Sequence, residues 1–233
     1  MIFPAPLVGG HLLRRYQRFL ADVRLDSGET VVAHCPNTGS MLGVNVAGSR
    51  VWLSRADNPT RKLAWTWEMV EVAGAGLVGI HTGRANGLVR EALEAGLIPA
   101  LAGFDGVRPE ARLSARSRTD LLLDFAGRPC FVEVKNLTAA VSGGEGFFPD
   151  AVSDRAHKHL EEMIQVVAAG ARAALVFCVQ REDVVRVRPA DHIDAAFGHI
   201  LRQAAGAGVE LYALGARLSP EAITLVRTLP VAL

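Results

Sequence analysis

Asp120, Glu133 and Lys135 are the residues of this chain whose types and spacing carry chemistry. Asp120 begins one apolar run, Asp120–Phe125. Glu133-Val134-Lys135 lies within the next, Cys130–Leu137, and Ala126-Gly127-Arg128-Pro129 separates the two. Both runs read as strands, and the four-residue connection as a hairpin loop. Side chains alternate across a strand, so Glu133 and Lys135 share a face. If Phe125 pairs with Cys130, Asp120 falls opposite Lys135 with Cβ atoms roughly 5 Å apart; a slip of one residue would turn Asp120 to the other face. Two carboxylates at one spot suit Mg²⁺ or Mn²⁺, which keep several waters and engage phosphates. Such an ion lowers the pKa of a bound water, and a neighbouring ammonium orients that water or meets the developing charge. Asp120 and Glu133 are therefore the expected metal ligands, with the Val134 carbonyl as a third. Together with Lys135 they form the expected catalytic group of a phosphodiester hydrolase. Neighbouring Asp, Glu and Lys are more often a surface ion-pair cluster. Here, however, Glu133 and Lys135 alternate with Phe131, Val132, Val134 and Leu137 in a run that reads as a central strand. Charged groups rarely sit there without a partner or a task.

The elements that must position these residues fall into two halves. Tyr16–Leu25, Thr30–Cys35, Arg50–Ser54, Leu63–Val72 and Leu77–His81 are short strand-like runs separated by Gly and Asn turns. About five closely spaced strands predict a small OB-like β-barrel over residues 1–82. From residue 83 onward the pattern alternates. A helix is expected over Asn86–Ala95 and a strand over Val107–Leu113, followed by the hairpin and a Gly-rich loop, Ser142–Gly146. Ser153 caps a helix over 154–169 with the stripe Leu160, Met163, Ile164 and Val167. A fully apolar strand Ala173–Val179, a helix Asp191–Ala205 and a strand Val209–Leu214 complete the chain. This α/β (α+β) order predicts a mixed sheet with helices on both faces.

Basic side chains mark the expected nucleic-acid contacts. Arg14, Arg15 and Arg18 open the barrel beside Tyr16 and Phe19, and Arg112, Arg116 and Arg118 precede Asp120. Basic groups interleaved with aromatics can track a single-stranded backbone, although Phe19 reads as barrel core. Arg155, Lys158 and His159 lie on what reads as the polar side of the 154–169 helix, whose start can grip a phosphate. His34 and Cys35 are adjacent on a strand and face opposite ways, so Cys35 reads as a buried thiol. Asn37-Thr38-Gly39 reads equally as a turn and as a backbone contact to phosphate. Glu91 is a further acid on the first helix, and a lone exposed Glu is ordinarily just solvated.

Several stretches together resemble the sugar fermentation stimulation protein family, SfsA. They are Arg15-Tyr16-Gln17-Arg18-Phe19-Leu20-Ala21-Asp22-Val23, His34-Cys35-Pro36-Asn37-Thr38-Gly39-Ser40-Met41 and Phe131-Val132-Glu133-Val134-Lys135-Asn136. Phe148-Pro149-Asp150-Ala151-Val152, then Arg155, Lys158, His159 and Leu160, and the ending Leu229-Pro230-Val231 complete the set. An acid at the start of one strand followed by E-x-K on the next also resembles the PD-(D/E)XK nuclease superfamily. Ala156 stands where a Gly is usual, and Leu121 where an aromatic or β-branched residue often follows the acid. The resemblance implies an OB-like domain joined to a nuclease-like domain, association with DNA and a link to maltose-gene regulation. The expected activity is metal-dependent cleavage of DNA, with RNA as a second candidate. A regulator that binds DNA without cleaving it, and a protein-interaction scaffold, stand as alternatives.

Bulk properties set the remaining bounds. A net charge of +1 over 233 residues rules out a strongly basic chain, so any basic surface is local. No apolar run is long enough to span a bilayer. The three cysteines, Cys35, Cys130 and Cys178, have no metal-ligand spacing and suit a reducing compartment, so a cytoplasmic location is expected. A homodimer is left open.

Overall fold

In the computed structural model, which describes residues 1–58, 60–114, 117–141 and 143–233, the first half closes into a barrel. Its strands are β1 (Val8–Tyr16), β2 (Leu20–Leu25), β3 (Thr30–His34), β4 (Arg50–Arg55), β5 (Trp65–Val72) and β6 (Gly76–Gly79). They run in the order β3-β2-β1-β4-β5-β6, and a parallel pairing of Ala33 with Trp65 joins β3 to β5. That closure gives a five-stranded OB-type barrel with β6 added at its side. Alternating residues fill it: Ala21, Val23 and Leu25 from β2, Val31 and Ala33 from β3, Val51 and Leu53 from β4, and the fully buried Trp67. The Trp67 indole N–H donates to the Met69 carbonyl at 2.8 Å, which satisfies its one polar group.

Strand β1 was not legible in the sequence. The chain reverses at Gln17 and Arg18, both with positive φ (48° and 67°), so the expected strand 16–25 is the end of β1, a turn and β2. Gly9-Gly10 and Arg14-Arg15 interrupt the apolar alternation of β1. The glycines answer a packing demand, since a Cβ at Gly10 would lie 2.7 Å from the Arg24 carbonyl oxygen. Phe19 sits at this turn and is 47% exposed; it is not barrel core.

The second half begins with α1 (Ala85–Glu94). It continues through β7 (Gly106–Pro109), β8 (Leu121–Phe125), β9 (Arg128–Leu137), β10 (Ala140–Val141), β11 (Glu145–Phe148) and α2 (Asp154–Ala168). It ends with β12 (Arg172–Val179), β13 (Arg186–Pro189), α3 (Ala195–Gly206), β14 (Glu210–Leu218) and β15 (Ile223–Leu229). The described residues build a mixed sheet ordered β15-β14-β12-β9-β8-β7 and a small sheet β10-β11-β13. Leu88, Val89 and Ala92 of α1 pack on one face of the main sheet with Cys130, Val132 and Val134. Leu160 and Met163 of α2 and Phe197 and Leu201 of α3 pack on the other, with Leu175, Phe177 and Leu137. Ser153 caps α2 by accepting from the Ala156 N–H. Asp194 caps α3, so that helix starts at Ala195 and not at Asp191. The expected strand 107–113 ends at Pro109, because Glu110 turns to a φ of 50°.

The two halves are stitched together. Ile2 bridges to Ala222, the Phe3 N–H donates to the Glu221 carbonyl, and Phe3 and Leu7 join the core under α1. The N-terminal amine pairs with Glu91, whose side chain is 53% exposed. Glu68 of β5 is fully buried; it accepts from Ser54 Oγ at 2.7 Å and from Arg84, just before α1, at 2.8 Å. Removing one partner of a buried ion pair leaves an uncompensated charge. Arg84→Ala should therefore lower unfolding free energy by about 3 kcal/mol, read from urea denaturation. A loss below about 0.5 kcal/mol would mean that Ser54 alone suffices for Glu68.

Candidate active site

The site is built on the hairpin β8–β9. Ala126 and Gly127 both adopt positive φ (52° and 81°), so two residues close the turn instead of four. Asp124 Oδ1 accepts from the Gly127 N–H at 2.8 Å and fastens it. Phe125 therefore pairs with Arg128 and Leu121 with Val132. This register differs by two residues from the expected pairing of Phe125 with Cys130, and its continuation sets Asp120 opposite Glu133 in place of Lys135. A shift of two keeps every side chain on its face, so the three groups still converge.

Strand β8 stops at Leu121, while β9 runs on to Leu137. Beyond that point β9 pairs with β12 alone, and side chains take over on the vacated edge. Thr119 Oγ1 donates to the Val132 carbonyl at 2.7 Å. Asp120 Oδ2 accepts from the Val134 N–H at 2.8 Å, and its Oδ1 accepts from Asn86 Nδ2 at 2.9 Å. The N–H and C=O of one strand residue point the same way, so the Val134 carbonyl is also directed to the Asp120 edge.

Glu133 is 4% exposed. Its Oε1 accepts from Lys135 Nζ at 2.7 Å and is bonded to His159 Nδ1. Burial pushes the Glu133 carboxyl up, but the hydrogen bond from His159 and the Lys135 ammonium outweigh it and hold the group below the ordinary range. Asp120 moves the other way: burial and the facing charge of Glu133 raise it against the Val134 and Asn86 hydrogen bonds. Two carboxylates and a carbonyl oxygen are the ligand types that a hard divalent cation takes. Among the described residues no cluster of three or more His, Cys, Asp or Glu is arranged to hold a metal. An ion here would draw its other ligands from water and phosphate.

His159 corrects the sequence reading. It does not lie on the polar side of α2; it is 7% exposed and belongs to the buried face with Ala156, Leu160 and Met163. The signal was its spacing, three after Ala156 and four before Met163. Arg155 and Lys158 are exposed and have no ion-pair or hydrogen-bond partner among the described residues.

A cavity of about 440 Å³ opens over Asp120, Glu133 and Lys135, walled by Asn37, Thr38 and Gly39 of the barrel and by Asp150 and Arg155. Arg155 also lines a second groove of about 1080 Å³, with Arg112, Arg118, Lys158 and His159. Arg112 donates to the Ser114 carbonyl, and Arg118 pairs with Glu110 at 3.4 Å, both on the surface. Arg116 lies outside the described residues. The barrel arginines are engaged locally. Arg14 pairs with Asp22 and stacks on Tyr16, Arg15 donates to the carbonyls of Arg18, Asn37 and Gly39, and Arg18 donates to that of Thr38. Cys35, Cys130 and Cys178 are buried free thiols, and burial pushes Cys130 and Cys178 up to about 12, which leaves them inert. No helix among the described residues is long and apolar enough to cross a membrane.

Comparison with known proteins identifies the family and the fold. The model of the SfsA N-terminal OB domain matches residues 13–80, and that of the sugar fermentation stimulation protein RE domain matches residues 83–222. A sugar fermentation stimulation protein homolog from Alkalilimnicola ehrlichii is 59% identical over 99% of both chains. One from Thioalkalivibrio sulfidiphilus is 57% identical over 99% of this chain and 98% of its own. The solved structure of SfsA from Pyrococcus furiosus, described as a complex with Ca²⁺, superposes with a TM-score of 0.88 at 28% identity. It covers 100% of this chain and 98% of that one.

The Glu133 contacts set a pH dependence. Glu133 is held below its ordinary value of 4.5, so its stabilisation is present above that pH and is lost as pH falls through the lower folded value. His159→Phe keeps the ring and removes the hydrogen bond, leaving Lys135 alone to offset the burial of the carboxylate. Urea denaturation should show a loss of roughly 2 kcal/mol near neutral pH. That loss should shrink as pH falls through the carboxylate range. An equal loss at both pH values would assign His159 to packing alone.

Proposed function

The chain belongs to the sugar fermentation stimulation protein family, and from that premise and the site's geometry we propose that it is a divalent-metal-dependent nuclease acting on DNA. The observation that carries this reading is the convergence of Asp120, Glu133 and Lys135 on one sheet edge. Their buried contacts open on a cavity rimmed by a free arginine. The Ca²⁺ in the description of the Pyrococcus furiosus relative supports a hard divalent cation in this fold. Mg²⁺ or Mn²⁺ suits the donor set of Asp120, Glu133 and the Val134 carbonyl.

Bound there, the ion would supply Lewis acidity towards the phosphodiester and a water of lowered pKa. The chain's own groups do the rest. Lys135 has three donor hydrogens and uses one on Glu133, so two remain to hold the attacking water or to meet charge developing on the phosphate. His159 fixes the rotamer of Glu133 from behind. Asn86 and the Val134 N–H hold Asp120 in place. Arg155 and Lys158 stand where the strand's other phosphates would pass.

Asp120→Asn should abolish the rise in melting temperature that Mn²⁺ gives the wild type, together with cleavage. Lys135→Ala should keep that rise and slow cleavage by about 10²-fold or more. Thermal melts with and without metal, and turnover on labelled DNA, measure both. Cleavage that survives both substitutions would place the active site elsewhere. Wild-type protein that binds DNA but cleaves it under no divalent cation would leave the non-cleaving regulator of sugar metabolism genes.

A further inference from the structure

The barrel meets the second half around the stretch between β6 and α1. His34, the last residue of β3, pairs with Thr66 of β5. Two residues along β5 lies Glu68, whose carbonyl accepts from the Ile80 N–H at 2.9 Å, which brings His81 to the same end of the barrel. Three contacts fasten this junction. Thr82 Oγ1 donates to the Pro36 carbonyl at 2.7 Å, next to the Asn37–Gly39 wall of the cavity. The Gly79 N–H donates to the Gln180 carbonyl at 2.9 Å. Gln180 Nε2 donates to the His81 carbonyl at 3.4 Å and to Asn136 Oδ1 at 2.6 Å, and Asn136 lines the cavity.

The Nδ1 atoms of His34 and His81 are both buried, and neither has a hydrogen-bond partner among the described residues. A neutral imidazole meets that condition with its proton on Nε2, because Nδ1 then carries only a lone pair. A charged ring does not. It must carry a proton on Nδ1 as well, and that buried donor finds no acceptor. Neighbouring cations add to the cost: Arg61 bears on His34, and Arg84 and His34 bear on His81. Glu68 opposes this at His81, but its charge is already met by Arg84 and Ser54. Burial is the largest cause, and it holds both rings below the ordinary imidazole value of 6.5.

We propose that His34 and His81 are a pH-sensitive latch between the barrel and the second half, closed while both rings are neutral and released when they take up protons. An opened junction lets water solvate each imidazolium, so it binds protons more readily than the closed one. The latch is therefore at full strength above pH 6.5 and weakens as pH falls through that value towards the lower values of the closed state. Opening parts Thr82 from Pro36 and Gln180 from His81. The Asn37–Gly39 wall then loses a support, and the cavity over Asp120 and Glu133 loosens on its barrel side. The device belongs to the junction and does not depend on the reaction performed in the cavity.

Hydrogen exchange of the full chain, read by mass spectrometry at about pH 7.5 and about pH 5.5 to bracket the imidazole range and corrected for intrinsic rates, tests this. Segments 36–41 and 79–84 should exchange about fivefold or more faster at the lower pH. His34→Gln combined with His81→Gln keeps polar side chains that cannot take up a proton, and should abolish that difference. Should the double variant not fold, an NMR titration of the wild-type imidazoles decides, with both rings expected to titrate below 6.5. A wild type without the pH difference, a folded variant that keeps it, or rings that titrate at their ordinary value or above overturns the proposal.

Discussion

The buried carboxylate of Glu133 is the constraint around which the second half is arranged. An acid at 4% exposure on a central strand is tolerable only if its charge is met, and two groups meet it, Lys135 from the same strand and His159 from α2. The helix must therefore pack with His159 turned inward. Ala156 lies on the same inward face at 3% exposure. The packing of α2 on the sheet and the chemistry of the site are in this sense one arrangement.

The second constraint is the unequal length of β8 and β9. A β-sheet edge with unpaired backbone groups is normally a liability. Here the edge is short, and Thr119 and Asp120 satisfy part of it with side chains. That substitution draws the Asp120 carboxylate against the strand carrying Glu133, whose facing charge, with burial, raises the Asp120 pKa. Two buried carboxylates shifted in opposite directions at the mouth of a cavity are the feature on which the proposed function rests.

The barrel contributes to the same cavity, so the two halves are not beads on a string. The first residues of the chain pack against the second half, Glu68 reaches Arg84 across the junction, and the Asn37–Met41 segment is tied to Asp150. Arg15 and Arg18, which in sequence look like free cations, are spent in large part on backbone carbonyls.

The sequence by itself determined what is local. Alternation placed Glu133 and Lys135 on one face, the apolar run of β12 marked a strand covered on both sides, Ser153 marked a helix start, and the turn signals of the first half marked a small barrel. Tertiary structure decided what depends on partners distant in the chain. Ala126-Gly127 can close a hairpin with two or four residues, and only the assembled sheet selects the register that sets Asp120 against Glu133. His159 and Lys158 are adjacent and both polar, and which of them turns inward depends on a carboxylate 26 positions away. Strand β1 has too little apolar alternation to be seen alone and is held by pairing with β2 and β4. Periodicity records which face a residue takes, while a hydrogen bond or a buried charge is settled only when its partner arrives in space.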